Sequence, residues 1–178
     1  MMVIEYAVGN TTMTSGHALP EWSVQTWLNW PGDAAAPSLD GLRGKVVVIH
    51  TFQMLCPGCV AHGIPQAKAI HQAFPPDRLQ VVGLHTVFEH HDAMTEVALR
   101  AFIHEYRIHF PVGMDMPGLQ GQPIPQTMQA WRLEGTPTLL ILDDLGRVRL
   151  NHLGQAEDLR VGAILGQLLA EAQHRAAA

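Results

Sequence analysis

The 178-residue sequence contains only two cysteines, Cys56 and Cys59. That excludes a disulfide-stapled scaffold, and it leaves no further thiols to complete a four-cysteine zinc or iron–sulfur site. Charge is also scarce: 15% of the residues are Asp, Glu, Lys or Arg, and the formal net charge is -5. No basic run offers a footing for a phosphate backbone or an anionic bilayer, so nucleic acid is not expected as a partner. No apolar run is long enough to cross a membrane. Residues 1–20 lack the basic start and apolar core of a secretory leader, which predicts a cytoplasmic protein, or a periplasmic one if the chain is a trimmed mature form. Internal repeats are absent as well. What is present is apolar residue, 47% of the chain, enough for one packed domain of useful core size.

The chain is organised around residues 46–59. Val46, Val47, Val48 and Ile49 open a β-branched run that reads as a buried strand, and the two cysteines follow it at Cys-x-x-Cys spacing. Pro57 suits the first position of a helix, where its missing N–H is no loss. Cys56 then becomes the capping residue. The orphan amides and the positive end of the helix dipole would face its sulfur and favour thiolate over thiol.

Taken in order, residues 1–18 predict a flexible N-terminal arm and 19–178 the folded domain. Residues 22–27 alternate large apolar and polar side chains and read as a half-buried strand. A helix is expected over 60–74, bent near 61–64 by Pro65 and eased there by Gly63. Residues 79–85 predict the next strand. Met94, Val97, Ala98, Ala101 and Phe102 mark a second helix capped by Asp92. Residues 110–114 predict a short extension, 116–125 a proline-rich loop, and 124–132 a short helix. Strands follow at 138–142 and 147–151 around the turn Asp143-Asp144-Leu145-Gly146. A last helix buries Val161, Ile164, Leu165, Leu168, Leu169 and Ala172. This order implies a mixed sheet with helices on both sides.

A second motif, Gly135-Thr136-Pro137-Thr138, places a proline just before a buried strand, where a cis bond fits a tight turn. Together with Cys56-Pro57-Gly58-Cys59 and Asp144-Leu145-Gly146, it resembles the thioredoxin superfamily. Within that superfamily, residues 39–45 and the helical insertion around 86–107 are similar to the redoxin group with its TlpA-type thiol-disulfide oxidoreductases. The likeness covers about residues 19–172. It implies a thioredoxin-like three-layer α/β/α fold with a central mixed sheet and an inserted helix. It also implies Cys56 as attacking thiolate, Cys59 as resolving thiol, Pro137 as the cis proline, and Thr136 presenting its backbone to substrate. A protein disulfide and a protein or thiol reductant would be the partners, and the Cys56–Cys59 couple would need no cofactor.

The sequence departs from the family pattern in two informative places. Pro65 comes one residue later than the family's helix proline, so an extra residue or bulge is expected between Cys59 and Pro65. His50 stands six residues before Cys56, where thioredoxins carry a buried aspartate. Alternation puts it on the strand face of Val48 and Phe52, so it is either a core histidine or an acceptor for the Cys59 proton.

Two other readings use the same residues. A thiol peroxidase resembling peroxiredoxins would need a threonine or serine where Gln53 stands and a proline where Ile49 stands. A copper or zinc carrier would join Cys56 and Cys59 to a histidine. The eleven histidines include His85, His90 and His91, but adjacent loop histidines share an ion poorly, and His62, His71 and His104 fall on predicted helix surfaces. Glu89 is read as a solvated loop residue, with a place near the dithiol as its sharper alternative. Trp22, Trp27, Trp30 and Trp131 read as packing.

Overall fold

In a computed structural model of the chain, residues 11–12, 16–30 and 34–177 are described. The strands in chain order are β1 (Thr11–Thr12), β2 (Val24–Leu28), β3 (Val46–Phe52), β4 (Leu79–His85), β5 (Val112–Asp115), β6 (Thr138–Leu142) and β7 (Val148–Leu153). The helices are α1 (Ile64–Ala73), α2 (Glu96–Glu105), α3 (Gln126–Ala130) and α4 (Asp158–Ala176). All seven residues of β3 and of β4 are buried, as an apolar strand covered on both faces requires.

The strands form one sheet in the order β1-β7-β6-β3-β4-β5-β2. β3 runs parallel to β4 and antiparallel to β6, and β4 runs parallel to β5, so the sheet is mixed. Val46, Val48 and Phe52 pack with buried residues of α1, α2 and α4. Val47 and Ile49 face the other layer, which holds Met128 of α3 together with Trp22 and Trp131. The indole N–H groups of Trp22 and Trp131 donate to the carbonyls of Pro37 and Pro20 at 2.9 and 2.8 Å, so these rings lock the segment before β3 onto the sheet.

Of the expected arm, residues 1–10 and 13–15 lie outside the described residues. Thr11 and Thr12 pair with His152 and Asn151, and Ala18 bridges Arg147.

The second helix differs from its expectation. Thr95, not Asp92, is the cap, its side chain accepting from the Ala98 amide, while Asp92 lies in a separate 3-10 turn. The buried face is Leu99 and Ile103, and Val97 is 79% exposed. The apolar stripe runs through Ala98, Leu99, Phe102 and Ile103, which share one face, and Val97 falls outside it.

Candidate active site

β3 delivers the chain to the cysteines at its carboxyl end, and the parallel strands β4 and β5 end on the same edge. Residues 57 and 58 are already helical, so Cys56 occupies the capping position. The Cys59 amide donates to the Cys56 sulfur at 3.3 Å, as the third amide of a helix does to a capping side chain. The sulfur thus sits at the helix N-terminus with a backbone donor aimed at it. Cys56 is half-buried and Cys59 fully buried, and neither is in a disulfide.

The Thr136–Pro137 peptide bond is cis. This turn faces the cysteines: the Cys56 thiol donates to the Thr136 carbonyl at 3.5 Å. A Cβ built on Gly58 would come 3.2 Å from the Pro137 ring, so a glycine lets the helix start approach the proline closely. Three bonds pin the turn from the sheet side. The Thr138 amide donates to the Thr51 hydroxyl (3.2 Å), the Thr138 hydroxyl to the Gly135 carbonyl (2.8 Å), and the Gly154 amide to the Pro137 carbonyl (2.7 Å).

Burial pushes the Cys59 thiol up to about 12, and its hydrogen bond and charge interaction with Cys56 add to the rise. A backbone hydrogen bond from Gln53 and a side-chain hydrogen bond from Thr136 act against it. The two sulfurs therefore differ sharply in environment: one is partly open and capped by an amide, the other dry.

No protein-family model matches the chain, and no curated protein matches it. Solved structures do. A crystallised thioredoxin-like superfamily protein is 52% identical, with a TM-score of 0.80, over 85% of this chain and 96% of that one. A thiol-disulfide isomerase from Corynebacterium glutamicum is also 52% identical, with a TM-score of 0.78, over 85% and 95%. The chain belongs to the thioredoxin-like thiol-disulfide oxidoreductases. StoA from Bacillus subtilis, 18% identical with a TM-score of 0.59 over 80% and 93%, shares the fold.

In this oxidoreductase Cys56, Cys59, Thr136 and Pro137 come together, and His50 stands apart. The imidazole is 2% exposed, lies parallel to the Phe52 ring at 6.0 Å between centroids, and rests on Gly63. Cys59 has Cys56, Gln53 and Thr136 as its partners, and His50 is not among them. Burial lowers the His50 pKa to about 4. Glu89 is exposed, and its amide, like that of Phe88, donates to the Gln53 side chain. Among the described residues no group of three His, Cys, Asp or Glu is placed to hold a metal ion.

Sequence reasoning missed the part played by Gln53. It is 3% exposed, and its side-chain oxygen accepts from the Phe88 and Glu89 amides at 3.2 and 3.3 Å, fixing the loop after β4 beside the cysteines. A polar residue between a buried strand and a helix start was the available signal.

Proposed function

We propose that the protein exchanges its Cys56–Cys59 couple with protein disulfides in the manner of a TlpA-type redoxin. The observation that carries this is the pair of unlike sulfurs facing a cis proline turn. The Cys56 thiolate attacks one sulfur of a substrate disulfide; a mixed disulfide forms and one substrate thiolate leaves. Cys59 gives its proton to the departed substrate thiolate, directly or through water, attacks the Cys56 sulfur, and releases the second substrate thiolate. Two electrons pass to the substrate, and the protein is left as the Cys56–Cys59 disulfide, to be reduced again by a partner dithiol. The couple itself carries the electrons.

The environment of Cys59 supports this order of events. Its hydrogen bond and charge interaction with Cys56 are among the causes that hold its proton in the dithiol form. Both interactions end once Cys56 is bonded to substrate, whereas the Thr136 hydroxyl and Gln53 contacts that favour the thiolate remain. The first step thus eases resolution, while burial, the largest cause of the raised value, stays in force. His50 is not among the partners of Cys59, and burial lowers its own pKa to about 4, which makes it a poor proton acceptor, so His50 is not assigned as the base.

Dithiothreitol-primed protein is expected to reduce insulin disulfides. Cys59→Ser is expected to accumulate partners bound through Cys56, and Cys56→Ser to accumulate none. Absence of both activity and trapped partners overturns the reading.

A further inference from the structure

The helix that carries Cys59 widens just behind that residue. Cys59–Gly63 forms a π-turn, in which the Ile64 amide donates to the Cys59 carbonyl five residues back, before the α-helix resumes at Ile64. A π-turn absorbs one extra residue, and Pro65 follows where its missing N–H costs no bond. Under the widened turn lies His50. A Cβ at Gly63 would fall 2.1 Å from the ring's Cε1 and 2.5 Å from its Nε2, so the imidazole bears directly on bare backbone.

The ring also forms part of the wall of a cleft of about 240 Å³. The other walls come from the π-turn, the start of α1, Gly154 to Ala156, and Asp158 of α4. No cysteine lines the cleft, although Cys59 begins the turn that Gly63 ends. Gln66, Gln155 and Asp158 make the cleft polar, while the other neighbour of the ring is Phe52. An amphipathic ring fits a wall with water on one side and core on the other. The Nε2 atom is buried without a hydrogen-bond partner, which marks the ring's place as set by shape rather than by a polar network.

We propose that His50 and Gly63 are positioning residues for the resolving thiol: the imidazole, seated on the glycine backbone, holds the π-turn open and closes the inner wall of the cleft, keeping water from the Cys59 end of the turn. This rests on the assignment of Cys59 as the resolving thiol, and it gives the extra residue before Pro65 a purpose. The histidine is the wedge the extra residue accommodates. Removing the ring deepens the cleft toward Cys59 and weakens the burial that keeps its proton on.

The test reads Cys59 alone, in a Cys56→Ser background, by iodoacetamide alkylation and ultraviolet thiolate absorbance as a function of pH. Loss of the imidazole in His50→Ala is expected to raise the alkylation rate at fixed pH about tenfold, which corresponds to a shift of the profile by about one pH unit. His50→Leu, close in volume and without nitrogen, is expected to stay within about twofold of the parent. Gly63→Ala pushes the ring off its seat and should accelerate alkylation as His50→Ala does; the two together should add nothing beyond one alone. If His50→Leu follows His50→Ala, imidazole chemistry is responsible and the proposal is wrong. Parental rates in both His50→Ala and Gly63→Ala also overturn it. Should His50→Ala fail to fold, Gly63→Ala against His50→Leu makes the same decision. Because alkylation needs no redox partner, failure of insulin reduction would sink the proposed function without touching this result.

Discussion

Two fully buried histidines contribute to the protein's response to mild acid, and His71, partly buried near His109, is shifted the same way. His50 and His85 are 2% and 1% exposed, and burial brings each down to about 4. His85 has neither ring nitrogen paired. The unfolded chain takes up protons on these rings near the ordinary histidine pKa of about 6.5, and the folded chain does so only near 4. Their contribution to stability is therefore fully present above about 6.5 and is lost as pH falls toward 4, by on the order of 3 kcal/mol each. Urea midpoints at pH 7, 6 and 5 should fall steeply. His85→Leu should remove about half of that fall. At pH 7 it should be as stable as the parent or more so, because an apolar side chain of similar size replaces two unpaired polar atoms. A flat profile in the parent, or an unchanged slope in the variant, contradicts this.

Helix ends are decided by single hydrogen bonds, and α2 illustrates how. The Thr95 side chain accepts from the Ala98 amide, whereas Asp92 sits in a turn of its own. Thr95→Ala should therefore cost about 1 kcal/mol in urea unfolding, and Asp92→Ala should stay within about 0.5 kcal/mol of the parent. Both residues are good caps by type, and both precede apolar residues, so composition alone does not choose between them. The strands were more legible. An unbroken run such as Val46 to Ile49 has one placement that buries it, and β4 and β6 occur over the residues their apolar runs mark. The π-turn was half legible: the late Pro65 announces one residue too many, but only the contact between Gly63 and the His50 ring shows where the extra width is used. The cysteines and the Gly135-Thr136-Pro137 turn meet because β3 ends and the antiparallel β6 begins at the same end of the sheet; in the sequence the two motifs were linked only through the family resemblance. The link from Gln53 to the loop after β4 depends on a rotamer, which no local pattern encodes.

At the scale of the whole molecule the sheet separates chemistry from anchorage. β6 begins at Thr138, beside the cysteines, and ends at the opposite edge, where the turn to β7 meets the last turns of α4. There Arg149 reaches Glu171 at 2.8 Å and Asp143 at 3.4 Å, and Arg175 pairs with Asp144. Asp143 is 3% exposed and also accepts the amides of Leu145 and Arg147; Arg149 is its ion-pair partner, and the Arg175 charge acts on it from farther off. Arg149→Met keeps much of the stem and removes the charge. It leaves a buried carboxylate short of a partner, a loss between that of an exposed and a fully buried ion pair, about 2 kcal/mol. Arg149 also holds the Glu171 carboxyl down at about 2, by its hydrogen bond first and with help from Gln167. That depressed value gives stability present above the ordinary glutamate range and lost as pH falls through about 4.5 toward 2. In Arg149→Met this acid limb should shrink, while the limb between pH 6.5 and 4 that belongs to the histidines should persist. Urea midpoints at pH 7, 5 and 3 distinguish the two limbs. Insulin reduction by the variant at 25 °C should equal the parent's, since no atom of the network lines the dithiol. A parallel fall in activity would mean that the hairpin and α4 transmit strain along β6 to the Pro137 turn, and that the two edges of the sheet are not independent.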